Sequence, residues 1–286
     1  MTIIDGQHFD KERELYGIKD TLVRHCVFDG PADGESALKE CDRITVEDCF
    51  FDLRYSLWHD RGLTLSRSKL TENCRAALWY SSEVTVQDSK LHGIKAFREC
   101  EHVQLQGCDI VSDEFGWFTH DITIENCTAE SKYFLMGNHG VRCKNLEMSA
   151  KYSLQYIEDG IFEDCVLDSK DAFWHAKNVT VRNCVLGGEY LAWYSEGLTF
   201  ENCKIIGTQP FCYCKNLTLI NCEMIDCDLA FERSTVQATI TTPVISVKNP
   251  RHGSCISLPA VGSIIRDIDG ADGKVCVSKQ AASLSA

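Results

Sequence analysis

The fold class this sequence predicts is all-β: a single-stranded, right-handed parallel β-helix with about 19 residues and three short strands per coil. Three observations point there. Residues 179–186 read Val-Thr-Val-Arg-Asn-Cys-Val-Leu, and the same pattern returns 19 residues later as Leu198-Thr-Phe-Glu-Asn-Cys203-Lys-Ile and again as Leu217-Thr-Leu-Ile-Asn-Cys222-Glu-Met. A fixed period over most of a chain marks a repeat architecture. Each repeat opens with an apolar-polar-apolar triplet rich in Val, Ile and Thr, the signature of a strand with one buried face. Nineteen residues leave too little chain for a helix and its loops, and one such coil cannot bury its own apolar face, whereas stacked coils can. Parallel crossovers are overwhelmingly right-handed, which sets the expected hand.

The elements follow in chain order. Residues 1–20 mix charge with Phe9, Leu15 and Tyr16 and are expected to form an N-terminal cap, because solenoid ends need covering. Residues 29–36, Asp-Gly-Pro-Ala-Asp-Gly-Glu-Ser, are the clearest loop. The β-helix is expected over 21–270. Its repeats are anchored on Cys26, Cys49, Ser68, Ser89, Cys108, Cys127, Leu146, Cys165, Cys184, Cys203 and Cys222, with every step 19 from Ser89 onward. Asn or Asp before most anchors tolerates the left-handed conformation and makes a sharp bend. Stacked anchors are expected to form a column of small thiols in a tight corner, beside an amide ladder. Vertical disulfides between rungs are disfavoured, since strands lie about 4.8 Å apart and bonded cysteines need Cβ atoms nearer about 3.8 Å. After about residue 234 the register loosens, with Pro243, Pro250 and Pro259 between short strand-like runs, so irregular closing coils are expected. Residues 271–286 are expected to be a tail, disordered from about Ser278.

Composition narrows the function. The net charge of -13 opposes nucleic acid and other polyanions, so no nucleic-acid partner is expected. No apolar run approaches the roughly 20 residues of a membrane helix, and residues 1–6 do not resemble a secretion signal. No membrane partner is therefore expected, and the location expected is cytoplasmic, where the 17 Cys would be reduced thiols. There is no Cys-x-x-Cys, no His-x-x-x-His and no Gly-rich phosphate loop, so neither metal nor cofactor is expected.

A stripe eight to ten residues after each anchor carries the functional expectation. Its middle position holds all five Trp (Trp58, Trp79, Trp117, Trp174 and Trp193) together with Arg98 and Gln155, and alternation turns that position outward. Beside the indoles lie His59, Tyr80, Glu99, His175 and Tyr194. Flat rings with adjacent polar groups suit a sugar, which makes Trp58, His59, Tyr80, Trp79, Arg98, Trp117, Trp174, His175, Trp193 and Tyr194 the candidate ligand-binding set, for a neutral or weakly charged carbohydrate. A surface for protein partners or for self-association as a homo-oligomer is the alternative, since large apolar patches mark contacts of either kind. A glycoside hydrolase, polysaccharide lyase or sugar epimerase is the third reading. Its catalytic candidates are His59, Asp60, Glu99, Glu101 and His175, weighed against the simpler view that each is a solvated charge at a strand end.

Four strings are specific enough to suggest kinship: residues 30–41 (Gly-Pro-Ala-Asp-Gly-Glu-Ser-Ala-Leu-Lys-Glu-Cys), 54–60 (Arg-Tyr-Ser-Leu-Trp-His-Asp), 171–178 (Asp-Ala-Phe-Trp-His-Ala-Lys-Asn), and 190–195 with 206–215. Through them the chain resembles, over roughly residues 1–270, a bacterial family catalogued as domain of unknown function 3737. The resemblance implies a pectin-lyase-like right-handed β-helix and brings no established activity or catalytic residues with it.

Overall fold

In the computed structural model, which describes residues 1–30 and 35–278, the recurring apolar pairs lie above one another. Ile44 pairs with Leu63, Leu63 with Val84, Val84 with Val103, Val103 with Ile122 and Ile122 with Val141, always in parallel. Alternation within each strand turns these residues and their neighbours two positions on (Val46, Leu65, Val86, Leu105 and Ile124) into the core, where all are buried. No helix occurs among the described residues. The chain divides into two compact units, residues Met1–Glu158 and Asp159–Ala286, each a parallel β-solenoid.

In the first unit one ladder runs from Thr2–Asp5 to His139–Lys144 and a second from His8–Phe9 to Glu147–Ser153. Phe9, Phe28 and Phe51 stack inside it, with centroids 5.0 and 4.6 Å apart. The third side is mostly turn; its strands are Leu78–Trp79 and Phe97–Arg98, continued by a single bridge from Arg98 to Trp117. Residues 1–20 are themselves a rung, because Thr2–Asp5 pairs with the strand Lys19–Arg24 and His8–Phe9 with Val27–Phe28. Residues 31–34 of the expected loop lie outside the described residues.

In the second unit Lys177–Arg182, Thr199–Glu201, Leu217–Ile225, Val236–Ile240, Cys255–Leu258 and Lys274–Val277 form the main ladder. The register shifts after Leu219. The offset then falls from 19 to 18 (Gln237 with Cys255) and 17 (Val244 with Val261) before returning to 19 (Cys255 with Lys274). The coils after 234 are thus shortened yet still paired, and pairing extends past residue 270 to Val277. The tail expected beyond Ser278 lies outside the described residues.

The anchor column does more than fill a corner. Where the chain turns, a backbone N–H leaves the strand ladder and needs another acceptor. The anchor side chain of the following rung supplies it. The N–H of Cys26 donates to Cys49 Sγ at 3.4 Å, that of Cys49 to Ser68 Oγ at 3.0 Å, that of Ser68 to Ser89 Oγ at 3.1 Å, and that of Cys108 to Cys127 Sγ at 3.3 Å. Each thiol or hydroxyl in turn donates to the carbonyl two residues back, as Cys127 does to Glu125 at 3.2 Å. At these rungs the position uses a small side chain that both accepts and donates, which Cys and Ser supply; Leu146 fills the same corner with neither function. The bends beside it are left-handed, at Asp48, Asp88, Asn126, Asn183 and Asn202 among others. On the outer side Asn145 donates to Asn126 at 2.9 Å, and Asn183 to Asp164 at 3.3 Å.

Fifteen of the 17 Cys are buried and all are free thiols; Cys255 and Cys276 are exposed. Burial pushes Cys49 and Cys214 up to about 12, so these thiols are unreactive at neutral pH. The capping role predicts that Cys127→Ser leaves urea-unfolding stability nearly unchanged. Cys127→Val, close in shape but unable to accept, should cost about 1–3 kcal/mol by stranding the Cys108 N–H.

A candidate aromatic binding surface

The third side of each coil sets the geometry of the stripe. In the first unit the middle position is half-buried rather than turned fully outward. Trp58 and Trp79 stack with centroids 5.4 Å apart and planes within 6°. Lys39 Nζ sits over the Trp58 ring at 5.5 Å, and the Arg98 guanidinium lies over both Trp79 (5.2 Å) and Trp117 (5.6 Å). Each cation gains from the ring's electron-rich face. The indole N–H groups turn back to the chain: Trp58 Nε1 donates to the Ala76 carbonyl and Trp79 Nε1 to the Lys95 carbonyl at 2.7 Å. The faces of Trp79 are thus occupied by Trp58 and Arg98, leaving a ring edge outward. This corrects the expectation of open indole faces. It also corrects Gln155, which shares this row but is only 7 % exposed. The physical reason is that much of this side is turn, not strand, so two-residue alternation does not govern it.

The next position is the outermost. His59 stacks on Tyr80 at 5.0 Å, followed along the column by Glu99 and Phe118. In the second unit His175 stacks on Tyr194 (5.2 Å, 11°) and Tyr194 on Tyr213 (4.7 Å, 7°). Tyr80 and Tyr194 are 41 % and 46 % exposed. Trp193 lies beneath, its Nε1 donating to the Gln209 carbonyl at 2.7 Å and its ring edge-on to Tyr213. Trp174 is half-buried and tilted against His175 at 5.3 Å. Every residue of this outer column is left-handed: φ is 58° at His59 and Tyr80, 50° at Glu99, 56° at Phe118 and His175, 60° at Tyr194 and 62° at Tyr213. Bulky residues rarely adopt that conformation, which costs of order 1–3 kcal/mol each. Gly137, at the same point of its coil with φ 68°, shows what the backbone alone would prefer. Sequence reasoning passed over Lys39 and Tyr213. Both were legible as one period before Trp58 and one period after Tyr194.

The acidic and basic candidates separate. Glu99 is exposed and accepts from Arg98 Nε at 3.4 Å, and Glu101 is exposed at a strand start. Partial burial lowers the His175 pKa, so its ring is neutral at neutral pH. Asp60 is not a solvated charge: it is 1 % exposed, in a second corner column. Its Oδ1 accepts from the Cys41 N–H at 2.8 Å, while Oδ2 is buried without a partner. Ser81 and Cys100 hold the same corner in the next two rungs, and the Asp60 N–H donates to Ser81 Oγ at 3.1 Å. Burial raises the Asp60 carboxyl well above the usual carboxylate range. It therefore serves as a corner cap like its Ser and Cys counterparts, out of reach of a surface-bound substrate. Among the described residues no three His, Cys, Asp or Glu are grouped to hold a metal ion.

Three substitutions test this geometry. A raised folded-state pKa at Asp60 stabilises the protein below the ordinary value of about 4, and that stability is lost as pH rises through the folded-state pKa. Asp60→Ser should therefore flatten the decline of Tm on the alkaline side, removing a slope of up to about 1.4 kcal/mol per pH unit. Trp79→Ala should cost about 3–5 kcal/mol. Tyr80→Gly should cost about 1 kcal/mol or less in the same denaturation assay, because relief of left-handed strain offsets the lost ring contact.

No curated protein matches the chain by sequence. Among solved structures it is similar to tailspike protein 3 of bacteriophage CBA120, with 12 % identity and a TM-score of 0.44, covering 98 % of this chain and 55 % of that one. It is also similar to a surface adhesin of Streptococcus pneumoniae, with 9 % identity and a TM-score of 0.36, covering 82 % of this chain and 72 % of that one. For the mannuronan C-5 epimerase A-module of Azotobacter vinelandii the values are 11 % and 0.33, covering 96 % and 89 %. The chain spans about half the length of the tailspike chain. The likenesses are too distant to carry a residue role or an activity. The sequence profile of the family described as protein of unknown function DUF3737 matches residues 2–278, and the chain belongs to that family.

Proposed function

We propose that the protein is a carbohydrate-binding solenoid whose contact surface is the outer column and not the indole row beneath it. The observation that carries this reading is the run His175–Tyr194–Tyr213, three rings stacked at successive rungs, Tyr194 exposed and its two neighbours half-buried, on a backbone held in a left-handed conformation throughout. Glycine would satisfy that backbone more easily, so the rings are retained against a local cost. Stacked edge-outward, they present tyrosine hydroxyls and a neutral imidazole at rung spacing, above an apolar support. Polar donors and acceptors on a rigid aromatic base suit a hydroxyl-rich ligand.

Binding without turnover is the better supported form. Asp60, the carboxyl adjacent to Trp58 and His59, is sunk in a core corner, and Glu99 is engaged by Arg98. Work on a glycosidic bond needs two carboxyls facing one another across the substrate, and among the described residues no such pair stands beside these rings. The many reduced thiols fit a cytoplasmic location.

Intrinsic fluorescence titrated with a panel of neutral oligosaccharides tests the proposal, since Trp193 touches both Tyr194 and Tyr213. One oligosaccharide class should perturb the emission saturably. Tyr194→Gly, which suits φ 60°, should weaken that binding about tenfold, the equivalent of one lost aromatic contact of roughly 1–1.5 kcal/mol, with Tm little changed. Undiminished binding in Tyr194→Gly, or no response to any oligosaccharide, would sink it.

A further inference from the structure

The closing rungs of the second unit hold an open groove of about 640 Å³ at the end of the candidate column, where Arg233 follows Tyr213 in the next rung. Arg233 and Arg251 line it from consecutive rungs, slightly out of register: the Arg233 N–H donates to the Asn249 carbonyl at 3.0 Å and the Arg251 N–H to the Ser234 carbonyl at 2.9 Å. Their backbones therefore run side by side in hydrogen-bonded rungs. Both side chains are exposed. Arg24, Arg43, Arg67 and Arg182 are each tied to carboxylates, whereas Arg233 and Arg251 take part in no ion pair among the described residues. Two adjacent guanidinium groups repel each other, and the repulsion turns to gain when an anion bridges them.

The opposite wall is pinned in place. Arg266 donates to the carbonyls of Ala271 and Gly273. Fully buried Asn249 donates to Asp267 Oδ1 at 2.6 Å and accepts from the Asp267 N–H at 3.0 Å. Between these ties the wall presents Asp269 to the groove. On the floor, Thr235 Oγ1 accepts from the Asn216 N–H at 2.9 Å, so its own proton is free to donate. The groove thus offers a paired cation on one side, and a hydroxyl donor and a carboxylate acceptor on the others.

We infer that this groove binds a sugar bearing one carboxylate or sulfate, the anionic group bridging Arg233 and Arg251 and its hydroxyls meeting Asp269 and Thr235. The inference rests on the carbohydrate reading above and names the chemical class of ligand taken at this second place. A single anionic group fits better than an extended polyanion, which the acidic remainder of the chain would repel.

Calorimetric titration of the full chain at low ionic strength tests it, using D-glucuronate, glucose 6-sulfate, D-glucose and inorganic sulfate as probes. The wild type should bind one or both charged sugars and not glucose, and which of the two binds separates carboxylate from sulfate. The double variant Arg233→Gln/Arg251→Gln should bind at least about tenfold more weakly with unchanged Tm. Asp269→Asn should weaken the charged sugars and leave inorganic sulfate unaffected. Three outcomes overturn the inference: undiminished binding in the double variant, inorganic sulfate as tight as the sugars (an adventitious ion only), or no uptake of either charged sugar. Neutral oligosaccharides report on the Tyr194 column separately. A protein that takes those and refuses the charged sugars refutes the groove alone.

Discussion

The backbone N–H at each turn of the coil is the constraint from which the rest of the structure follows. A parallel ladder satisfies its strands along their length, but every coil must bend out of the ladder, and a buried donor left there is costly. This chain solves the problem with side chains borrowed from the next rung. Cys49 serves Cys26, Ser68 serves Cys49, and Cys127 serves Cys108. Asp60 serves Cys41 and Ser195 serves Ala176 at a second corner. Once the caps are fixed, the inward positions of the flanking strands are fixed too, and the Val, Leu, Ile and Phe columns fall into line.

Much of this architecture was legible because it is periodic. The 19-residue step, the apolar pair and the Asn-Cys bend each repeat with little variation, and one repeating chemistry maps onto one structural position. The second corner, eleven residues after the anchor in most coils and twelve to fifteen in the others, was harder to see. Cys41, Asp60, Ser81, Cys100, Thr119, Asn138, Ser195, Cys214 and Ser234 share a place in the coil but scarcely a residue class. What unites them is a small polar side chain, and no hydropathy pattern detects that. The indole row misled for a different reason. Alternation is a property of strands, and on the third side of the first unit only Leu78–Trp79 and Phe97–Arg98 are strands among the described residues. Elsewhere that side is built from left-handed turns, so the middle residue tucks under and the third residue takes the surface.

That inversion separates two roles the sequence had merged. The tryptophans and Arg98 form a supporting layer whose ring faces are used internally. The rings at His59, Tyr80, His175, Tyr194 and Tyr213 stand on that layer at a conformational cost the fold tolerates. Left-handed backbone recurs at the Asn and Asp bends and at buried Phe173 and Phe211 as well, but in this column it carries bulky rings that reach the surface.

Caps lent from rung to rung have a consequence for how the chain can change in length. A deletion of a few residues inside a coil would shift every anchor after it away from the N–H it serves and turn inward residues outward. Removal of one whole period would bring the next anchor to the same corner and restore each bond with a new partner. Within either unit, length is therefore expected to vary in steps of a full coil, and smaller changes are confined to stretches that pair with nothing. The shortened rungs after residue 234, with offsets of 18 and 17, mark where that rule relaxes. It is there that the arginine pair and its groove are found.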